Sequence, residues 1–176
     1  DEPTAVLAPD EADDLMRWIR RFRDEGHAVV LITHKLREAL AIADDVTVLR
    51  RGVTVLAQPA EALTERTLVA ALIGESGPPE PGAGGDATLD AHAETSPPGT
   101  GAAGVGAVVA ALRHVHVVDD DGTDALHDAT VEVRAGEILG VAAVEGAGQH
   151  ELLRLFAGRL APTKGAARIP ERIAFI

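Results

Sequence analysis

The stretch from Gly74 to Gly106, GESGPPEPGAGGDATLDAHAETSPPGTGAAGVG, constrains this chain more than any other feature. Pro, Gly, Ala, Thr and Asp dominate it, paired prolines recur, and no apolar period survives. Such a composition cannot bury enough surface to offset the entropy of ordering it. It reads as a flexible linker over residues 75–106, leaving stretches of 1–74 and 107–176 on either side. Each flanking stretch is short for a domain, so each is expected to be part of one.

Before the linker, helix and strand periods alternate. Asp10 reads as the cap of a helix to about Glu25, with Leu15, Trp18, Ile19 and Phe22 on its apolar face and Gly26 as its stop. AVVLIT is a continuous apolar run, as in a parallel strand buried on both faces. HKLREALAIADD suits a short helix, VTVLRRGVTVLA two strands turning at Arg51-Gly52, and residues 60–73 a helix that ends at Gly74. After the linker, AVVAALRHVHVV and ATVEVRAGEILGVAAV read as strands, separated by turn residues in DDDGTDALHD. QHELLRLFAG reads as a helix, and ERIAFI as the start of a further strand. The class is α/β, with one stretch like the end of a domain and the other like a beginning.

Composition narrows the partners. The net charge of −12 argues against a nucleic-acid backbone, which needs a basic face, and 2% aromatics argue against base stacking. With no Cys there is neither disulfide nor thiolate metal site. No apolar run approaches the length that crosses a bilayer, so work at a membrane would pass through a partner.

The chain opens on DEPTAVLAP. An Asp-Glu pair at a strand end, turned outward by Pro3, is useful where a nucleoside triphosphate is hydrolysed. Asp1 can hold Mg²⁺ as a hard oxygen ligand, and Glu2 can orient or deprotonate the attacking water. Alone, such a pair reads equally as a cap or a solvated acidic face. Thirty-two positions after Glu2, however, His34 ends the VVLIT strand, where α/β sheets place ligand-contacting groups. The competing reading of His34 is a helix N-cap or a core histidine.

Together, DEPTAVLAP and LITHKLREALAIADDVTVLRRG resemble the second half of an ABC-transporter ATPase domain. More narrowly, they resemble the tandem ATPase subunits of simple-sugar and nucleoside importers. The likeness covers residues 1–74. It implies Asp1 as the metal-side carboxylate closing the Walker-B strand, Glu2 as the catalytic glutamate and His34 as the switch histidine. Residues 5–8 fall on the D-loop, although Ala8 stands where many family members carry Asp.

The later segment GEILGVAAVEGAGQHELL has the strand, glycine turn and helix of a phosphate loop. Gly146 and Gly148 are kept, Ala143 stands at the first glycine, Gln149 replaces the lysine, and His150 replaces the Mg²⁺-binding hydroxyl. Gln149 brings no charge to a phosphate, and charge-assisted contacts are roughly twice as strong as neutral ones. Imidazole is a poor ligand for Mg²⁺. Taken alone this is only a glycine-rich strand-to-helix turn. In context it resembles the opening of the second ATPase domain of the same importers, with a degenerate P-loop.

The resemblance therefore implies partial P-loop NTPase domains, with incomplete sheets on each side of the linker. Residues 1–74 would end the first ABC ATPase domain and 107–176 would begin the second. It implies ATP and Mg²⁺ as cofactors, with membrane permease subunits, an extracytoplasmic substrate-binding protein and the second ATPase domain of the same chain as partners. The place of work would be the cytoplasmic face of the membrane. The segment alone is expected to be inactive and to leave unpaired sheet edges. Two other expectations fit less well: a tandem ABC protein acting on ribosomes, and a truncated, non-catalytic partner-binding segment.

Overall fold

The structure, a computed structural model, describes residues 3–4, 6–74, 106–118 and 122–170. Asp1, Glu2, Ala5, residues 75–105 of the linker and the ERIAFI strand lie outside the described residues. Helix α1 spans Pro9–Asp24, strand β1 Val29–Thr33, α2 Leu36–Ile42, β2 Asp45–Arg50, β3 Val53–Pro59 and α3 Glu65–Ile73. After the linker come β4 Val108–Val118, β5 Asp124–Arg134, β6 Ile138–Ala143, α4 Gln149–Phe156 and β7 Lys164–Arg168.

The strands form one sheet in the order β1-β6-β2-β3-β5-β4-β7. The α/β class therefore holds, and its main departure from expectation is that the two stretches do not keep separate sheets. Strand β6, from the second stretch, lies parallel between β1 and β2 of the first, with Leu31 and Val46 both registered on Gly140. Every residue of β6 is buried. A strand of such composition needs cover on both faces and a neighbour on each side, and the first stretch supplies both neighbours.

The alternation of side chains along β6 sorts the core into two layers. Leu139, Val141 and Ala143 pack with Leu152, Leu155 and Phe156 of α4 and with β4 and β5. On the other face, Ile138 meets Ile19 of α1 and Ile42 of α2, while Ala142 joins Leu68 of α3. Gly140 passes beneath α2, where an added Cβ would stand 3.0 Å from that of Ala43.

Local chemistry moves several boundaries. Helix α1 begins at Pro9, whose fixed φ suits the first helical position, and the N-cap is Ala8, not Asp10. The Ala8 amide donates to Glu11 Oε2 at 2.9 Å. Trp18 leaves the core face and stacks on Phe22 in solvent at 5.2 Å, 46% exposed. Helix α3 starts at Glu65, because the Thr64 hydroxyl accepts from the Thr67 amide; residues 60–62 form a 3₁₀ turn instead. Residues Asp124–Asp128, read as turn from their polarity, belong to β5, with Leu126 buried between half-buried Ala125 and exposed His127. Strand β7 was not foreseen because all five of its residues are exposed and carry no apolar period.

Candidate functional site

Parallel pairing of β1 with β6 brings both C-terminal ends to one edge of the sheet, with Thr33 registered on Ala142. The turns that follow carry His34 on one side and residues 143–150 on the other. Between them lies a cavity of about 130 Å³ lined by Ile32, Thr33, His34, Ala143, Glu145, Gln149 and His150. Sites in open α/β sheets sit beyond the carboxyl ends of strands in this manner.

The first turn is tied to the chain's opening motif. Lys35 Nζ donates to the Thr4 carbonyl at 3.1 Å and to Thr4 Oγ1 at 2.9 Å, and Thr4 Oγ1 donates to Glu38 Oε2 at 2.6 Å. Thr4 is buried, so this threonine is anchored beside the His34 turn across 31 residues of sequence. The Thr33 hydroxyl accepts from the Lys35 amide at 3.0 Å, which bends the chain out of β1 and leaves His34 exposed. Asp1 and Glu2 themselves fall outside the described residues.

The second turn keeps a phosphate loop's backbone while changing its side chains. Gly146 and Gly148 take φ of 77° and 93°, which non-glycine residues rarely adopt. At Gly148 space matters as well: a Cβ there would stand 2.4 Å from the Ala125 carbonyl oxygen of β5. The turn is fixed from the first stretch too, since the Gly52 amide donates to the Ala147 carbonyl at 2.9 Å. Helix α4 follows directly, so its N-terminal amides and the positive end of its dipole point toward the cavity. This backbone fits a phosphate.

The side chains fit less well. Gln149 is 5% exposed, and its Nε2 donates to Glu145 Oε2 at 3.3 Å. Its Oε1 is buried with no hydrogen-bond partner, a deficit of about 1–3 kcal/mol. His150 is exposed at the mouth. Among the described residues no group of three His, Cys, Asp or Glu side chains can hold a metal ion, and His150 does not suit Mg²⁺. Sequence reasoning passed over Glu145, Thr4 and Lys35. Glu145 stands four residues before Gln149, a spacing that could have marked it.

A different cluster occupies the opposite end of β6. Asp44 Oδ2 accepts from the Ile138 amide at 2.7 Å, and its Oδ1 pairs with Arg23 Nη1 at 2.7 Å. Glu137 is buried and accepts from the Arg134 amide at 2.5 Å. Burial pushes the Glu137 carboxyl up to about 7, against the Arg134 hydrogen bond, with Asp45 adding to the rise. Burial also raises Asp45, opposed by its hydrogen bond with Glu137.

A mixed α/β sheet, parallel across β1, β6 and β2, carries a glycine turn leading into a helix at the carboxyl end of β6, in keeping with a partial P-loop NTPase fold. Curated relatives narrow the class. The chain is 35% identical over 172 residues to a glucose import ATP-binding protein of Haloferax volcanii, covering 98% of this chain and 28% of that protein. It is 31% identical over 169 residues to a nucleoside import ATP-binding protein of Lactococcus lactis subsp. cremoris (96% and 30%). A ribose import ATP-binding protein of Streptomyces avermitilis is 35% identical over 169 residues (96% and 28%). The chain is similar over nearly its whole length to a segment of ABC import ATP-binding proteins, and it spans under a third of the length of these relatives. No family model and no solved structure matches it. Among the described residues no helix is long and apolar enough to cross a membrane.

Proposed function

We propose that the protein carrying this chain binds and hydrolyses ATP to energise import of a simple sugar or a nucleoside through an ABC transporter. Residues 1–74 end its first ATPase domain and 107–176 begin its second. Permease subunits and an extracytoplasmic binding protein are its partners, at the cytoplasmic face of the membrane. The single observation that carries the reading is the glycine turn at residues 143–150, set at the carboxyl end of β6 and leading directly into α4. The importer relatives support it from an independent direction.

In this reading Glu2 polarises the attacking water and His34 holds the terminal phosphate by hydrogen bonding. Asp1 would hold Mg²⁺ as a hard oxygen ligand. ATP supplies the phosphoanhydride that is cleaved. Backbone amides around Gly146 and Gly148, with the start of α4, hold phosphate oxygens at the second site. Gln149 and His150 make that site weak. The segment alone is inactive, because a competent site needs a charged phosphate loop that the 143–150 turn does not provide.

The test is made in the intact protein. Glu2→Gln retains the side chain's size and removes its basicity, so ATP turnover falls by about a thousandfold while ATP binding persists. Normal turnover in that variant removes Glu2 from the mechanism.

A further inference from the structure

We infer that Glu145 sets the anion affinity of the 143–150 turn: its carboxylate, held by the Gln149 amide, is an internal anion that competes with a nucleotide's phosphates. The inference rests on the proposal that this turn is a nucleotide site, and it assigns the control of that site to a residue outside the motif positions.

A glycine turn and a helix N-terminus attract negative charge. Glu145 already brings one to the same end of α4, lining the cavity beside His34 and His150. Its contact to Gln149 Nε2 at 3.3 Å takes up one of the two N–H donors of that amide and turns toward a carboxylate the group that could have bonded a phosphate oxygen. What Gln149 leaves without a partner is Oε1, an acceptor, buried with the rest of a side chain that is 5% exposed. A phosphate presents acceptors as well, so Oε1 cannot be satisfied by one. The pair therefore opposes phosphate twice, through the charge on Glu145 and through the way Gln149 is turned. Loss of the lysine explains a missing attraction, whereas Glu145 adds an active repulsion.

Removing that charge while keeping the shape should release the Gln149 amide toward the cavity. Glu145 is exposed and its neighbour Val144 is 49% exposed, so replacement leaves the core untouched. Because the carboxylate faces solvent, its effect is that of a surface charge, roughly fivefold in affinity, and it is screened by salt.

The experiment measures ADP binding by calorimetry in the intact protein, with Glu2→Gln present to suppress turnover and the first site saturated by a tightly held nucleotide. The wild-type turn is compared with Glu145→Gln, Glu145→Ala and Gln149→Lys, each at low and high salt, and with adenosine as a phosphate-free probe. The expected result is that both Glu145 variants bind ADP about fivefold more tightly at low salt, that the gain shrinks at high salt, and that adenosine binding is unchanged. If Gln149→Lys tightens ADP binding while the Glu145 variants do not, the inference is overturned and the site reading survives. If no variant binds ADP at the turn, both are overturned. A gain shared by adenosine, or insensitive to salt, also overturns it by pointing to a change of shape.

Discussion

The two ends of β6 are built from the same kinds of residue to opposite purposes. At its start, Asp44, Asp45, Glu137, Arg23 and Arg134 form a cluster in which Asp44 uses both carboxylate oxygens. At its end, the 143–150 turn surrounds a cavity and keeps one buried acceptor without a partner. A buried polar group that is fully paired holds structure, whereas one left unpaired at an open edge marks a place for something else. The start of β6 is therefore a clasp between the two stretches, and its end is the candidate site.

If that division is right, changes at the clasp alter stability and leave nucleotide affinity alone. The largest effect is expected for Asp44→Ala, which strips the Ile138 amide of its acceptor and leaves Arg23 only its exposed pairing with Asp24. A loss of about 3 kcal/mol should appear in urea unfolding, with ADP affinity unchanged. A cost well below about 1 kcal/mol would mean that the clasp does not hold β6.

Next in size is a dependence on pH. Burial pushes the Glu137 carboxyl up to about 7 in the folded chain, from the ordinary 4.5 of the unfolded one. The folded state thus binds the extra proton between those values. Its contribution is fully present below about 4.5 and is lost as pH rises through about 7. Stability should fall by on the order of 2 kcal/mol from pH 5 to pH 8, and Glu137→Gln should flatten most of that slope. Asp45, also raised, accounts for a residual slope of the same sign. Equal slopes in the two proteins would locate the titration elsewhere.

The smallest effect has the opposite sign and lies at the site. Gln149→Met removes the orphaned oxygen while keeping similar volume, so it should stabilise the chain by about 1 kcal/mol. Destabilisation would show that Oε1 is satisfied in solution.

Much of this arrangement was legible in the letters, and the misses have physical causes. The apolar run at β1 announces a strand buried on both faces, the run at β6 announces a strand, and the glycines before Gln149 announce the turn. His34 was found from its place at a strand end. The clasp was not, because Asp44 and Glu137 are ordinary loop acids in sequence and only burial gives them roles. Strand β7 has no period to read, and Trp18 followed the helical rule while facing solvent. The largest surprise is the single sheet. Sequence pattern shows that β6 must be flanked, but it does not show by which strands.

That pairing is the central claim, and nuclear magnetic resonance of the 176-residue chain tests it most directly. The account predicts proton–proton contacts from Gly140 to Leu31 on one side and to Val46 on the other, with slowly exchanging β6 amides. Rapid exchange along β6 with no contact to either strand would contradict it, and would separate His34 from the turn it is held to face.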